Sequence, residues 1–176
     1  SAGLYMVAVQ LAMGVAIVFD SINRAYAPWL YEKLSSSDTY WKTKIVKFTY
    51  IYFTLLLLLI PLAFLIGPYV VIFIAGEKYS EAAEIIGLLV TGQIFGGMYL
   101  MVTNYIFYSK RVGCLSLITI ASGFVNLLLL YLLLSTIGLT GAALAFALSM
   151  FIQFILTWLL AAMRHPMPWL KILAPV

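Results

Sequence analysis

The sequence predicts an all-α, polytopic membrane protein with about five membrane-spanning helices, and two observations support this prediction. Of the 176 residues, 65% are apolar and only 9% are charged, whereas a soluble domain is nearer half apolar and a quarter charged. Three long stretches contain no charged residue, namely 48–76, 85–109 and 112–163. Because a helix crosses the roughly 30 Å hydrocarbon layer in about 20 residues, these stretches provide one, one and two crossings, and the charge-free run 1–19 begins a fifth.

The spans are predicted to be helices because they are apolar on every face, while barrel strands would alternate apolar and polar residues. A helix also satisfies every peptide group within its own segment, as lipid requires. The second span is expected to end at the Gly67-Pro68 step, with Pro61 as a further interruption and the following YVVIFIAG as a shallow outer segment. Residues 1–176 are treated as a single transmembrane domain, with spans near 3–29, 48–68, 84–108, 114–135 and 140–163.

Basic residues in the loops predict the orientation, because Lys and Arg accumulate on the cytoplasmic side of short loops. The connections after the five spans contain four, one, two, no and two basic residues: Lys33, Lys42, Lys44 and Lys47, then Lys78, then Lys110 and Arg111, and finally Arg164 and Lys171. This alternation predicts a cytoplasmic C-terminus and an N-terminus outside. The net charge of +4 is scattered over loops, so no nucleic-acid surface is expected.

An outside N-terminus is unusual for a chain that enters its first span almost at once and has no basic leader or small-residue cleavage site before it. We therefore expect the chain to be part of a longer protein.

The residue types that carry enzymatic chemistry are sparse. Cys114 is the single cysteine, so the chain holds no internal disulfide, and a small apolar role at the start of the fourth span is expected. His165 follows the last span and is expected to be interfacial, although a lone membrane histidine can also mark a proton relay. With no glycine-rich phosphate loop, catalytic triad or acidic pair in the sequence, neither an enzyme nor a cofactor is predicted.

Polar and small residues inside the spans are the candidate functional positions. At 100° per residue, one face of the first span is predicted to carry Asp20, Asn23, Arg24 and Ala27, with Met13 and Ala16 extending it. The fourth span repeats the pattern with Thr119, Ser122, Gly123 and Asn126. Such faces either pack helices together or line a polar pathway. The pathway candidates are Arg24, Asp20, Asn23 and Asn126, and the packing candidates are Gly92, Gly96, Gly97, Gly123 and Gly141.

The depth of Asp20 and Arg24 is informative. Trp29 and Tyr31 are typical of an interfacial aromatic belt, which places Arg24 about 8 Å and Asp20 about 14 Å inside it at 1.5 Å per residue. Pro28 offers no N–H to the Arg24 carbonyl. The pair is either part of a polar cavity wall or a self-paired helix end whose arginine snorkels to the interface.

The order of these features resembles the C-terminal part of the polysaccharide flippases, the Wzx-type transporters of the multidrug/oligosaccharidyl-lipid/polysaccharide superfamily. One departure is Leu130, where relatives often carry a second asparagine. The matching segments are Gly3-Leu4-Tyr5, Pro28, GEKYSEAAEII (76–86), NYIFYSKR (104–111), SGFVN (122–126) and GLTGAALA (138–145).

This resemblance implies a two-lobe protein of about twelve helices, in which the five spans correspond to the eighth through twelfth and the N-terminal lobe is missing. It implies a bacterial inner-membrane transporter that moves undecaprenyl-pyrophosphate-linked oligosaccharide across the membrane by alternating access, for the biosynthesis of polysaccharide such as lipopolysaccharide O-antigen. The expected partners are that substrate, membrane lipids and the missing lobe. Two alternatives stay open: a cation-coupled multidrug exporter of the same superfamily, in which Asp20 binds the ion, and a non-transporting five-helix anchor or assembly subunit.

Overall fold

The structure is a computed structural model that describes residues 2–36, 38–110 and 112–169. The predicted all-α class is confirmed, because these residues form long helices and no strand. All of the long helices are apolar enough to cross a membrane. In chain order the elements are α1 (Ala2–Ser35), α2 (Thr39–Ala75), a short 3₁₀ turn (Glu77–Tyr79), α3 (Ser80–Tyr108) and α4 (Gly113–Arg164).

Helix α2 is longer than the sequence suggested. It starts at Thr39, where the Asp38 side chain accepts a hydrogen bond from the Tyr40 N–H and caps the helix. It then continues through Pro61 and Pro68 to Ala75, so the predicted interruption at these prolines is wrong. Proline removes one backbone hydrogen bond but does not end a helix where the surrounding membrane disfavours free peptide groups.

Helix α4 consists of two antiparallel arms. Its 52 residues would span about 78 Å as one rod, more than twice the hydrocarbon layer. The backbone leaves helical geometry at Ile137 and Gly138, where Gly138 has φ +62° and ψ −139°, a conformation that favours glycine. The break lies between the predicted fourth and fifth spans.

Three contacts show that the arms 113–136 and 139–164 fold back on each other. Ser149 Oγ lies 3.2 Å from Asn126 Oδ1, and Arg164 Nη2 donates to Cys114 Sγ at 3.1 Å. A Cβ at Gly141 would collide with the Leu133 carbonyl. All three pairs are symmetric about the break at 137–138, as an antiparallel hairpin requires.

Helix α3 is the centre of the bundle, and the other helices pack around it. In its most apolar 18-residue stretch 61% of the residues are buried, against 17% in α1, 11% in α2 and 6% in α4. Its buried face includes the fully enclosed side chains of Ile94, Tyr105 and Ile106. The loosely packed sides of α1, α2 and α4 are therefore left to contact lipid or other protein.

Glycines on α3 allow this close packing. A Cβ at Gly97 would lie 2.7 Å from Phe19 of α1, one at Gly92 would overlap Phe146 on the second arm of α4, and one at Gly87 would overlap Phe64 of α2. Gly92 and Gly97 are among the packing candidates named from the sequence, whereas the Gly87 contact was not anticipated. Gly96 approaches Met150.

Gly123 does not share this role. No described atom lies within 4 Å of the position where its Cβ would be, so no helix of the described residues packs closely on it. Gly123 shares the outward side of the first arm of α4 with Phe124, which is 69% exposed.

Charge is divided between the two ends of the bundle. One end of the bundle is formed by the end of α1, the start of α2, the end of α3 and both ends of α4. Tyr31 of α1 stacks on Tyr108 of α3, and the Tyr50 hydroxyl of α2 donates to the Trp169 carbonyl, which follows α4, at 3.0 Å. This basic end carries Lys33, Lys42, Lys44, Lys47, Lys110 and Arg164, together with Trp29, Trp41, Trp158 and Trp169. The opposite end, at the α2–α3 connection, carries Glu77, Lys78, Glu81 and Glu84. Arg111 and Lys171 lie outside the described residues.

The two-arm structure of α4 can be tested by disulfide cross-linking in a Cys114→Ser background. We expect N126C/S149C to form an intramolecular disulfide on mild oxidation, because the native side chains are in contact. In a continuous helix these positions would be about 35 Å apart, far beyond the reach of a disulfide. The matched control is L127C/S149C, since Leu127 is 62% exposed on another side of the arm. A mobility shift in neither pair, or equally in both, would contradict the hairpin.

Candidate functional site

The charged pair of α1 lies on a surface that the rest of the chain leaves open. Arg24 Nε donates to Asp20 Oδ2 at 2.7 Å, and the two side chains are 80% and 47% exposed, respectively. Met13 and Ile17 are exposed on the same side of the helix. Among the described residues Arg24 bonds only through Nε, so its terminal nitrogens are available to another group.

Asn23 is turned away from this surface, although the sequence placed it on the same face as Asp20 and Arg24. Its Oδ1 accepts a hydrogen bond from Asn104 Nδ2 of α3 at 2.7 Å. The Tyr31 hydroxyl donates to Asn104 Oδ1 at 3.4 Å. Asn104 is only 3% exposed, so both its amide atoms are satisfied by α1. Packing of α1 on α3 thus divides the predicted face into an inner amide contact and an outer charged pair.

Asn126 is separate from this group. It accepts a hydrogen bond from Ser149 across the two arms of α4, so in the structure it takes part in a helix–helix contact. Ser122, one turn earlier, is also buried, and its hydroxyl has no partner among the described residues.

A groove between α1 and α2 was not anticipated from the sequence. It has a volume of about 610 Å³. Its floor is Gly97 and Met101 of α3, and its walls and mouth consist of Ile22, Asn23, Ala25, Tyr26, Trp29, Lys44, Phe48 and Tyr52. The lining residues come from three helices and no short motif joins them, so sequence spacing gave no signal for the groove.

Lys44 and Lys33 flank an aromatic ring beside the mouth of this groove. Their Nζ atoms lie 5.1 and 4.8 Å from the centre of the Trp41 ring. Trp41 in turn packs edge-on against Trp29 of the groove wall. Cation–π contacts of this kind hold ammonium groups over aromatic faces.

His165 is part of the aromatic packing at the basic end. Its ring stacks near Tyr105 and meets Tyr108 edge-on. Burial, with a smaller contribution from the positive charge of Lys42, lowers the pKa of His165. The side chain is therefore held neutral at pH 7, which fits an interfacial packing role. Among the described residues there is no cluster of histidine, cysteine and acidic side chains that could bind a metal ion.

The Asn23–Asn104 contact is expected to stabilise the attachment of α1 to α3. In a double-mutant cycle with N23A and N104A we expect a coupling free energy of about 0.6 to 1.7 kcal/mol, the range found for hydrogen bonds between membrane helices. The measurement is unfolding of the detergent-solubilised protein. Coupling near zero would show that the amide contact does not hold the helices together.

Comparisons with protein-family models, with curated proteins and with solved structures gave no match for this chain.

Proposed function

We propose that this chain is part of a membrane transporter of the flippase type, which moves a lipid-linked oligosaccharide bearing a pyrophosphate across the bacterial inner membrane. The observation that supports this proposal is the exposed Asp20–Arg24 pair within an apolar helix. A charge at the bilayer centre costs about 2.5 to 3.5 kcal/mol on insertion scales. A pair that faces a polar pathway or another part of the protein avoids much of this cost.

Arginine is suited to such a substrate because its planar guanidinium binds phosphate oxygens in pairs and remains charged at membrane depth. In the structure Asp20 occupies Nε and fixes the orientation of the guanidinium. The Arg24 side chain is 80% exposed, so its terminal nitrogens are accessible on the open side. We propose that they contact the pyrophosphate as it crosses.

In the proposed orientation the basic end of the bundle faces the cytoplasm. Its six described basic side chains, against one lysine at the opposite end, follow the positive-inside pattern. The substrate would then be collected at the end where lysines and tryptophans are concentrated.

The two alternative functions have less support. A cation-coupled drug exporter would use Asp20 to bind the ion, but its carboxylate is already engaged by Arg24 at 2.7 Å. In a membrane anchor the pair would be only a self-paired helix end whose arginine snorkels to the interface.

Substitution of Arg24 tests the proposal. In the full-length protein we expect R24A to lower the rate of oligosaccharide translocation at least tenfold, because a hydrogen bond to a charged group contributes about 1.5 to 3 kcal/mol. R24K keeps the charge but loses the paired geometry, so an intermediate rate is expected. The measurement is protection of a labelled lipid-linked oligosaccharide in proteoliposomes.

The matched control is K78A, which removes an exposed positive charge at the opposite end of the bundle and should leave the rate unchanged. Membrane abundance of each variant is measured in parallel. A normal rate with R24A at normal abundance would reject the pathway role of Arg24. Transport of cationic drugs in place of oligosaccharide would favour the exporter.

A further inference from the structure

We propose that the groove between α1 and α2 binds one anionic phospholipid of the surrounding leaflet, with an acyl chain in the groove and the phosphate at Lys44 and Lys33. This binding site is distinct from the Asp20–Arg24 surface and does not depend on the proposed transport function.

The lining of the groove matches an acyl chain. Apart from Asn23 and Lys44, the residues that form it present aliphatic or aromatic side chains or glycine, and its floor is Gly97 and Met101. Ile22 and Phe48 on its two rims are 45% and 46% exposed, so the groove is open on the outer side of the bundle. The amide oxygen of Asn23 already accepts a hydrogen bond from Asn104 Nδ2.

The open form of the groove follows from the packing of its helices. Both α1 and α2 pack on α3, and near the basic end Tyr26 and Trp29 of α1 close onto Phe48 of α2. Further along, Gly97 and Met101 of α3 line the space between them. The cavity is therefore bounded by aromatic rings at the interface and extends toward the apolar middle of the bundle, as an acyl chain does.

Charge at the mouth selects an anionic headgroup. Lys44 lines the groove and has no carboxylate partner among the described residues. The Lys33 Nζ also lies over the Trp41 ring. The Glu32 carboxylate, 2.7 Å from this Nζ, offsets part of its charge. Basic pockets between membrane helices bind anionic lipid headgroups. The same lysines disfavour a cationic aromatic compound in this groove.

The site is tested by quenching of tryptophan fluorescence with brominated lipids in nanodiscs of phosphatidylcholine. Trp29 lines the groove and Trp41 lies beside its mouth, so a brominated chain in the groove quenches them. We expect brominated phosphatidylglycerol to quench at lower mole fraction than brominated phosphatidylcholine. In W29F most of the difference in quenching between the two lipids should disappear, which would show that the preferred lipid binds in the groove.

Charge and shape variants separate the site from general surface attraction. K44Q should raise the mole fraction of brominated phosphatidylglycerol needed for half-maximal quenching about fivefold. K33Q/K44Q should raise this mole fraction further. K47Q, which removes a lysine of the same helix outside the groove, should change it little. A25F should reduce quenching by filling the groove while it retains both lysines.

Three results would overturn the proposal. Equal quenching by the two lipids would show no preference for an anionic headgroup. An equal effect of K47Q and K44Q would show general surface attraction without a site. Absence of Trp29 quenching by either lipid would show that protein covers the groove.

Discussion

The close approach of the other helices to α3 is the constraint on which the rest of the structure depends. In lipid the hydrophobic effect contributes little to helix association, so membrane helices associate through close packing and interhelical hydrogen bonds. Gly87, Gly92 and Gly97 meet Phe64 of α2, Phe146 of α4 and Phe19 of α1, respectively. One helix therefore receives a phenylalanine from each of its three neighbours.

The position of the polar residues follows from this packing. Phe19 of α1 packs against Gly97 of α3, and because Asn23 is four residues later on the same face, it faces Asn104 of α3. The same rotation leaves Asp20 and Arg24 on the open side. The inner contact is neutral, and both amide atoms of the buried Asn104 are paired, as burial in a low-dielectric interior requires. The outer contact is ionic, and the terminal nitrogens of Arg24 can still donate hydrogen bonds. The outer pair is therefore the candidate for substrate contact.

The sequence predicted the helical class because long uncharged runs constrain it directly. It also indicated the Asp20–Arg24 pair, since four-residue spacing on a helix is enough to place two side chains together. It could not show that Asn23 faces α3 while Arg24 faces the open side, because the rotation of α1 is set by the contact between Phe19 of α1 and Gly97 of α3. The continuation of α2 through Pro61 and Pro68 was missed because proline is a breaker in water but is tolerated in lipid. The groove was missed because its walls converge only in three dimensions.

The central claim, that the Asp20–Arg24 surface faces a water-accessible pathway, is tested most directly by thiol accessibility. Ser21 is exposed next to this pair, so a single cysteine at Ser21 in a Cys114→Ser background reports on the surface without altering the charges. Charged thiol reagents react with the thiolate, which forms in water and not in hydrocarbon. A cysteine at Phe124, on the exposed apolar surface of the first arm of α4, is the reference. Rapid modification of S21C in membranes, with F124C unreactive, is the predicted result. S21C as unreactive as F124C would show that the pair faces lipid and would contradict the pathway.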